Sequence, residues 1–345
     1  MLIEKQIQEI RQHLNKAQNP LFFFDNDADG LSSFLLLQRY IERGKGVAIK
    51  SFPFLNTTYT RKIYELNPDY IFVLDKPDIE PGFFKEVWEK NLPLVWIDHH
   101  DVTPKILPDN YYNPIKSETS SNEPVSYWCY KISEKKQDIW ISIIGCIGDS
   151  FLPEFYEEFK KKYPDLAGNC KSAFEILYTT EIGKISRMLS FGLKDRTTNV
   201  IRMIKFLIKV KSPYEILKES PETKLLFKRF SQVNAKYQAL LNKAKNLASN
   251  SKLLYFQYGG DLSLSADISN ELSYKFPDKV ICVAYLKGTK ANVSLRGKQN
   301  IRKITLEAIK NIDQATGGGH EQATGASIPI EELPKFKENL LKLIK

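Results

Sequence analysis

Cysteine is scarce in this chain: there are four among 345 residues, and no two are spaced as Cys-x-x-Cys. Scattered as Cys129, Cys146, Cys170 and Cys282, they exclude a thiolate zinc site of ordinary spacing and a disulfide framework. They fit reduced, packed thiols in a cytoplasmic protein. Long apolar runs are missing too. The longest, Ile139 to Gly148, is half of what a membrane span needs, so no membrane partner is expected. The opening residues Met1, Leu2, Ile3, Glu4 and Lys5 bring charge too early for a secretory signal. No low-complexity tract interrupts the chain, and a hydrophobic content of 42% suffices for real cores. A length of 345 residues suggests two domains with a connector.

What is present is, first, a concentrated positive charge. The net charge is +9, yet the stretch from Lys184 to Lys245 holds 15 Lys and Arg against 4 Asp and Glu, or +11 by itself. The rest of the chain is about neutral. Such a segment suits a polyanion such as nucleic acid; solvated helix faces would give the same count.

The chain is organised around six residues, Asp25, Asn26, Asp27, Ala28, Asp29 and Gly30. They follow Leu21, Phe22, Phe23 and Phe24, which read as a short buried strand, and precede an apolar run from Leu31 that reads as a helix. Three carboxylates therefore crowd the end of a strand beside the positive end of a helix dipole. They repel one another unless a cation sits between them, and hard divalent metals take such oxygen ligands. An EF-hand calcium loop begins similarly but requires Glu at its twelfth position. Counted from Asp25, that residue is Leu36, and the preceding element is strand-like. A polar turn with a helix cap is the plain alternative.

Strands then alternate with helices. An amphipathic helix over 1–17 precedes the strand at 20–25. A helix to Arg43 and a strand at 47–49 follow, then a helix at 57–66 and a strand at 70–74 that ends in Asp75. A helix near 82–90 leads to the strand 93–97, which ends in Asp98, His99 and His100. Alternation of this kind implies a parallel, doubly wound sheet with ligands beyond the carboxyl ends of its strands. The run from Ile139 ends in Gly148 and Asp149 in the same manner, although its first part fits a helix equally well. Histidine adds weight, for of the four in the chain only His13 lies outside the motif-like places, in the first helix. Residues 151–250 read as mostly helical, with helices at 151–162, 172–178, 200–210 and 224–247. A second, smaller α/β domain follows, with strands at 253–256, 280–285 and 291–295 and helices at 266–276, 302–312 and 331–345. Gly317, Gly318 and Gly319 precede His320. Consecutive glycines cost backbone entropy and expose N–H groups that can cradle an anion. With Arg296 two residues after Ser294 on a neighbouring strand, a phosphate pocket and a flexible turn are both open readings.

In order, the first motif, Asp75, Asp98-His99-His100 and Gly148-Asp149 resemble motifs one to four of the DHH phosphoesterases. Ser294-Leu295-Arg296 and Gly317-Gly318-Gly319-His320 resemble the signatures of the DHH-associated C-terminal domain. Oligoribonuclease and pyrophosphatase branches carry a His four residues before the first metal-binding Asp. Here that place is Phe23, and Asp25 stands two before Asp27, as in RecJ-like nucleases. The chain thus resembles the shorter, archaeal-type RecJ-like members, although Asp75-Lys76-Pro77-Asp78 departs from the bacterial second motif after its Asp.

The resemblance implies a DHH domain over 1–185, a basic helical connector over 186–250 and a DHH-associated substrate-binding domain over 251–345, with the active site in the cleft between domains. It further implies that Asp27 and Asp29 each hold one of two metals, that Asp75 bridges them, and that His99 and Asp149 complete the ligands of the second metal. Asp25 would be an auxiliary acid, Asp98 would orient a histidine, and His100 would face the scissile phosphate. Ser294, Arg296, Gly318, Gly319 and His320 would hold substrate phosphates. Oxygen-rich ligand sets with one histidine suit Mn²⁺ or Mg²⁺, and a two-cation site suits phosphodiester hydrolysis. Three functions follow as expectations: a manganese-dependent exonuclease on single-stranded DNA or RNA, a small-molecule or short-oligonucleotide phosphodiesterase or phosphatase, and a replication or repair scaffold. A helicase or replisome protein is the implied protein partner. The intact acids and the basic connector favour the first.

Overall fold

The computed structural model describes every residue except 52–53, 118–119 and 345. The chain forms two compact units, Met1–Phe230 and Ser231–Lys345. The division falls inside the helix Lys224–Lys245, within the stretch expected to form a connector. Among the described residues, no helix is long and apolar enough to cross a membrane.

The first unit is built from strands β1 (Pro20–Asp25), β2 (Lys45–Ile49), β3 (Phe54–Leu55), β4 (Tyr70–Leu74), β5 (Asp78–Ile79), β6 (Leu94–Ile97) and β7 (Tyr111–Tyr112). Five of them form a parallel sheet in the order β2-β1-β4-β6-β7; β3 and β5 pair separately. The strands read as unbroken apolar runs because both faces are covered. Side chains alternate with a period of two. Phe22, Phe24, Phe72, Leu74, Val95 and Ile97 turn to one face, under helices that include Ala28–Ile41, Val125–Ser133 and Ile139–Gly148. Leu21, Phe23, Ile71, Val73 and Trp96 turn to the other, against helices Thr60–Leu66 and Pro81–Glu89. This is the doubly wound arrangement expected from the alternation.

Register brings the strand-end acids together. Phe24 lies beside Leu74 and Leu74 beside Ile97, so the next residues, Asp25, Asp75 and Asp98, leave the sheet side by side. The fourth acid arrives differently. The run Ile139–Gly148 is helical throughout, so Asp149 ends a buried helix rather than a strand. Complete burial on all sides had removed the periodicity that distinguishes the two. The helix expected over 151–162 begins only at Tyr156, and Val125–Ser133 is a helix that the sequence did not announce.

The second unit contains β8 (Leu253–Gly259), β9 (Val280–Lys287), β10 (Lys290–Arg296), β11 (Thr316–Gly319) and β12 (Ala323–Pro329), in the order β11-β12-β10-β9-β8. β8 and β9 are parallel across the helix Ser265–Lys275, and the other pairs are antiparallel. Helices Ile301–Ile309 and Leu333–Leu343 bury Ile301, Ala308, Phe336 and Leu340 against Val293, Leu295 and Ile328. The glycine run is not a turn. It is an exposed edge strand, Gly317 to Gly319 pairing with Ala326, Gly325 and Thr324. Gly319 has φ +134, and a Cβ there would stand 2.5 Å from the carbonyl oxygen of Ala323.

Close helix packing places the fourth acid. A Cβ on Gly145 would lie 2.3 Å from Oγ of Ser126 and 2.9 Å from Cβ of Ser32, and one on Gly148 would lie 2.7 Å from Cβ of Ala28. Gly145→Val should therefore overpack this three-helix contact and cost about 1–3 kcal/mol or more. Urea denaturation checks this; an unchanged midpoint would show that the contact relaxes freely.

Candidate metal centre

The acids sit where they do for local reasons. Asp27 is the N-cap of the helix Ala28–Ile41, its carboxylate accepting the Gly30 amide at 2.9 Å. Gly30 must be small, since a Cβ there would lie 2.5 Å from the carbonyl oxygen of Asp25. Asp29, in the first turn of the helix, is fully buried. Its carboxylate accepts the backbone N–H groups of Val125 at 2.8 Å and Ser126 at 2.9 Å, together with the Ser126 hydroxyl. Asp29 thus caps the helix Val125–Ser133, which has no side-chain cap of its own. Asp75 follows β4 with φ +58, a left-handed conformation that Asp tolerates better than most residues. Its Oδ1 is buried, and among the described residues its near neighbour is Nε2 of His99 at 3.4 Å, longer than a good hydrogen bond.

One ligand atom each from Asp29, Asp75, His99 and Asp149 lies within 4.8 Å of the others, and so does one from each of Asp75, His99 and His100. Asp75 and His99 belong to both sets. Nε2 of His99 is 3.1 Å from Oδ2 of Asp149 and 3.4 Å from Oδ1 of Asp75. Among the described residues Asp27 is in neither set, but its electrostatics place it near them. Burial first, then Asp25, Asp149 and Asp29, hold its carboxyl well above the usual range. Burial, then Asp149, raises Asp29 to about 6. Burial, then Asp29 and Asp27, raises Asp75 well above the usual range. Burial alone would lower His99, yet the carboxylates of Asp149 and Asp75 beside it raise it well above its ordinary value. Buried, mutually repelling carboxylates around one imidazole fit a hard divalent cation. These residues form an acid and histidine cluster able to bind metal.

The remaining expected residues have clear partners. Oδ1 of Asp98 is 2.8 Å from Nδ1 of His100, and Oδ2 accepts the His100 amide at 3.1 Å. Asp98 thus fixes the orientation of that ring. Asn113 supports the arrangement by donating to the His100 carbonyl at 3.0 Å. Asp25 stands close enough to Asp27 to raise it, and its own charge is met by Lys76, whose Nζ donates to Oδ1 at 2.8 Å. In the second unit, Ser294 donates to Oγ of Ser265 at 3.1 Å. Arg296 donates from Nε to Asn270 at 2.6 Å and from Nη1 to the Thr324 carbonyl at 3.1 Å. Part of its guanidinium therefore holds the unit together. Gly318 and Gly319 lie on the edge strand, and His320 closes the β11–β12 turn, its amide bonded to the Ala323 carbonyl at 2.9 Å.

Sequence reasoning missed Lys76, Ser126 and Asn113. Lys76 is wholly buried and also donates to the Ser51 carbonyl at 2.8 Å. Its signal was a cation directly after a strand-end acid. Ser126 and Asn113 carry no such signal, since their roles arise from tertiary placement.

Known proteins share this fold. Residues 250–345 match the DHHA1 domain. RecJ from Thermus thermophilus, solved with Mn²⁺, superposes with a TM-score of 0.70 at 13% identity, over 99% of this chain and 54% of that one. The chain therefore spans about half the length of that RecJ. An exonuclease RecJ bound to manganese gives a TM-score of 0.67 at 13% identity, over 99% of this chain and 93% of that one. CDC45 from Entamoeba histolytica gives 0.51 at 10% identity, over 98% of each. No curated protein matches by sequence. The fold is thus the RecJ-like DHH fold that the motif order implied.

Two outcomes are expected. Because Asp27, Asp29, Asp75 and His99 are all raised, the metal-free folded chain binds more protons than the unfolded one above the ordinary carboxylate range. The stability from this cluster is complete below that range and falls as pH rises, through about 6 for Asp29, with the raised Asp27, Asp75 and His99 adding losses of the same sign. In EDTA, wild type should lose stability relative to Asp75→Asn over that window, and Mn²⁺ should reverse the loss increasingly with pH. Urea midpoints across pH with and without Mn²⁺ check the sign. Secondly, Lys76→Met should destabilise by about 3–5 kcal/mol, the cost of breaking a buried pair, and adding Asp25→Asn should recover part of it. Thermal melts of the double-mutant cycle decide this; additive losses would mean that the pair is uncoupled.

Proposed function

We propose that this chain, which has the RecJ-like DHH fold and a C-terminal DHHA1 domain, hydrolyses phosphodiester bonds of single-stranded DNA or RNA using two divalent cations, Mn²⁺ or Mg²⁺. The observation that carries this reading is the convergence of Asp29, Asp75, His99 and Asp149 within 4.8 Å at the carboxyl end of the sheet. Asp27 and Asp29 would each hold one cation, with Asp75, His99 and Asp149 completing the ligand sets. Bound cations supply a water of lowered pKa and neutralise charge on the phosphate. His100, with its ring fixed by Asp98, contacts the scissile phosphate. Asp25, paired with Lys76, shapes the floor of the site. In the second unit Ser294, Arg296, Gly318, Gly319 and His320 hold phosphates of the strand, and the protein acts in the cytoplasm.

A second reading is a replication scaffold that meets a helicase or replisome protein; the fold likeness to CDC45 supports it. The complete set of acids supports hydrolysis over that reading. A third, a phosphodiesterase on short oligonucleotides, would use the same centre.

The deciding experiment is digestion of end-labelled DNA and RNA strands of about 20 nucleotides, beside a dinucleotide, with Mn²⁺. The strand should be cut to short products, and Asp75→Ala should lower the rate on the order of 100-fold or more while circular dichroism stays native. Arg296→Ala should lower kcat/KM about tenfold with Mn²⁺ affinity unchanged. Full activity in EDTA would overturn the metal reading, turnover of the dinucleotide alone would favour the third reading, and no turnover at all would favour the scaffold.

A further inference from the structure

The first unit carries a second feature that the metal centre does not use. A cleft of about 680 Å³ opens among the helices Thr197–Lys209, Pro213–Leu217 and Lys224–Lys245. Its walls hold five basic residues against three acidic ones. The acids are occupied locally. Asp195 accepts the Arg196 amide and the Asn199 side chain, Glu215 caps its own helix at Lys211 and Ser212, and Glu222 accepts from Ser220.

The lysines are not so occupied. Arg202, Lys205 and Lys209 project from successive turns of one helix and are exposed. Among the described residues, the ammonium groups of Lys205, Lys209 and Lys218 make no ion pair or hydrogen bond. From Arg202 to Lys209 the helix advances about 10 Å. Lys205 and Lys209, one turn apart, repel each other, which costs stability unless something outside supplies the opposite charge. Between the cations the lining is apolar: half-buried Phe206 and exposed Leu225. Among the described residues, the Nε of Arg229, in the same wall, is buried without a hydrogen-bond partner. A row of cations over an aromatic and aliphatic floor matches a strand whose phosphates and bases alternate.

Position points the same way. Lys50, directly after β2, donates to the Asp195 carbonyl in the cleft wall at 2.9 Å. Its neighbour Ser51 accepts from Lys76, which in turn holds Asp25. The cleft therefore adjoins the edge of the sheet from which the metal-centre acids emerge.

We propose that this cleft is a binding track for single-stranded nucleic acid, gripping the portion of the strand that is not being cut. The proposal rests on the phosphodiesterase reading for its substrate, but the track is a separate binding site. Its use is to retain a long strand between successive cuts, since a second contact at high effective concentration slows release without altering the chemistry.

The test uses the full chain with Arg202, Lys205 and Lys209 all changed to Gln, and a second variant with all three changed to Glu. These positions are exposed and both replacements favour helix, so native circular dichroism is expected. Binding of a labelled strand of about 20 nucleotides is titrated over a salt series with metal chelated. The slope of log affinity against log salt should shrink by about 2 in the Gln variant, for roughly three phosphate contacts at about 0.7 each. Affinity at low salt should fall at least tenfold, and further in the Glu variant. With Mn²⁺, turnover of the long strand should drop while that of a dinucleotide holds. An unchanged slope, no binding by wild type, or equal loss on both substrates would overturn the track. So would displacement of the strand by poly-glutamate as readily as by unlabelled strand. If wild type binds with the expected slope yet cuts nothing, the track stands and the hydrolytic reading fails.

Discussion

Carboxylates that repel one another are held together in a buried place, and much of the first unit follows from holding them there. Asp29 and Asp75 are almost wholly removed from solvent, and each is raised by burial and by neighbouring acids. The scaffold offsets part of that cost. Two backbone amides and a hydroxyl from the helix Val125–Ser133 hold Asp29, the Gly30 amide holds Asp27, and His99 lies against Asp75 and Asp149. Packing supplies the rest, through a five-stranded sheet covered on both faces and three helices brought close by Gly145 and Gly148. One imidazole beside Asp75 and Asp149 leaves the buried acids with excess negative charge, which is what a divalent cation would neutralise.

Lys76 modifies that picture. Lys76 places a buried cation beside Asp25 and offsets the charge of that acid. The same ion pair ties β4 to the segment after β2, because Lys76 also holds the Ser51 carbonyl. Trp96 completes the fastening by donating its indole N–H to the Lys76 carbonyl at 2.9 Å.

The sequence disclosed those parts of the structure in which local chemistry decides. Apolar runs ending in Asp25, Asp75 and Asp98 announced parallel strands and the end at which ligands gather, because burial on both faces leaves no polar alternation. The paired His99 and His100 declared themselves by rarity. Asp149 was legible as an acid in a special place but not as the end of a helix, since a run apolar on every side has no period. The partners of the acids were hidden. Ser126 and Asn113 are ordinary residues whose value comes from a helix start and a loop 97 and 13 residues from the groups they hold. Gly317, Gly318 and Gly319 were misleading in isolation: low strand propensity was outweighed by the register available beside β12.

That glycine-rich edge has a consequence for how the second unit behaves in a crowded solution. An uncovered edge strand offers unpaired amides and carbonyls to any passing chain, and apolar side chains normally convert such an encounter into a lasting zipper. Here the edge presents Thr316 followed by three residues with no side chain at all. A foreign strand can find the backbone but gains almost no apolar contact by staying. The unit's sheet ends in a surface that is sticky in its hydrogen bonds and slippery in everything else, which favours brief, reversible contacts over aggregation.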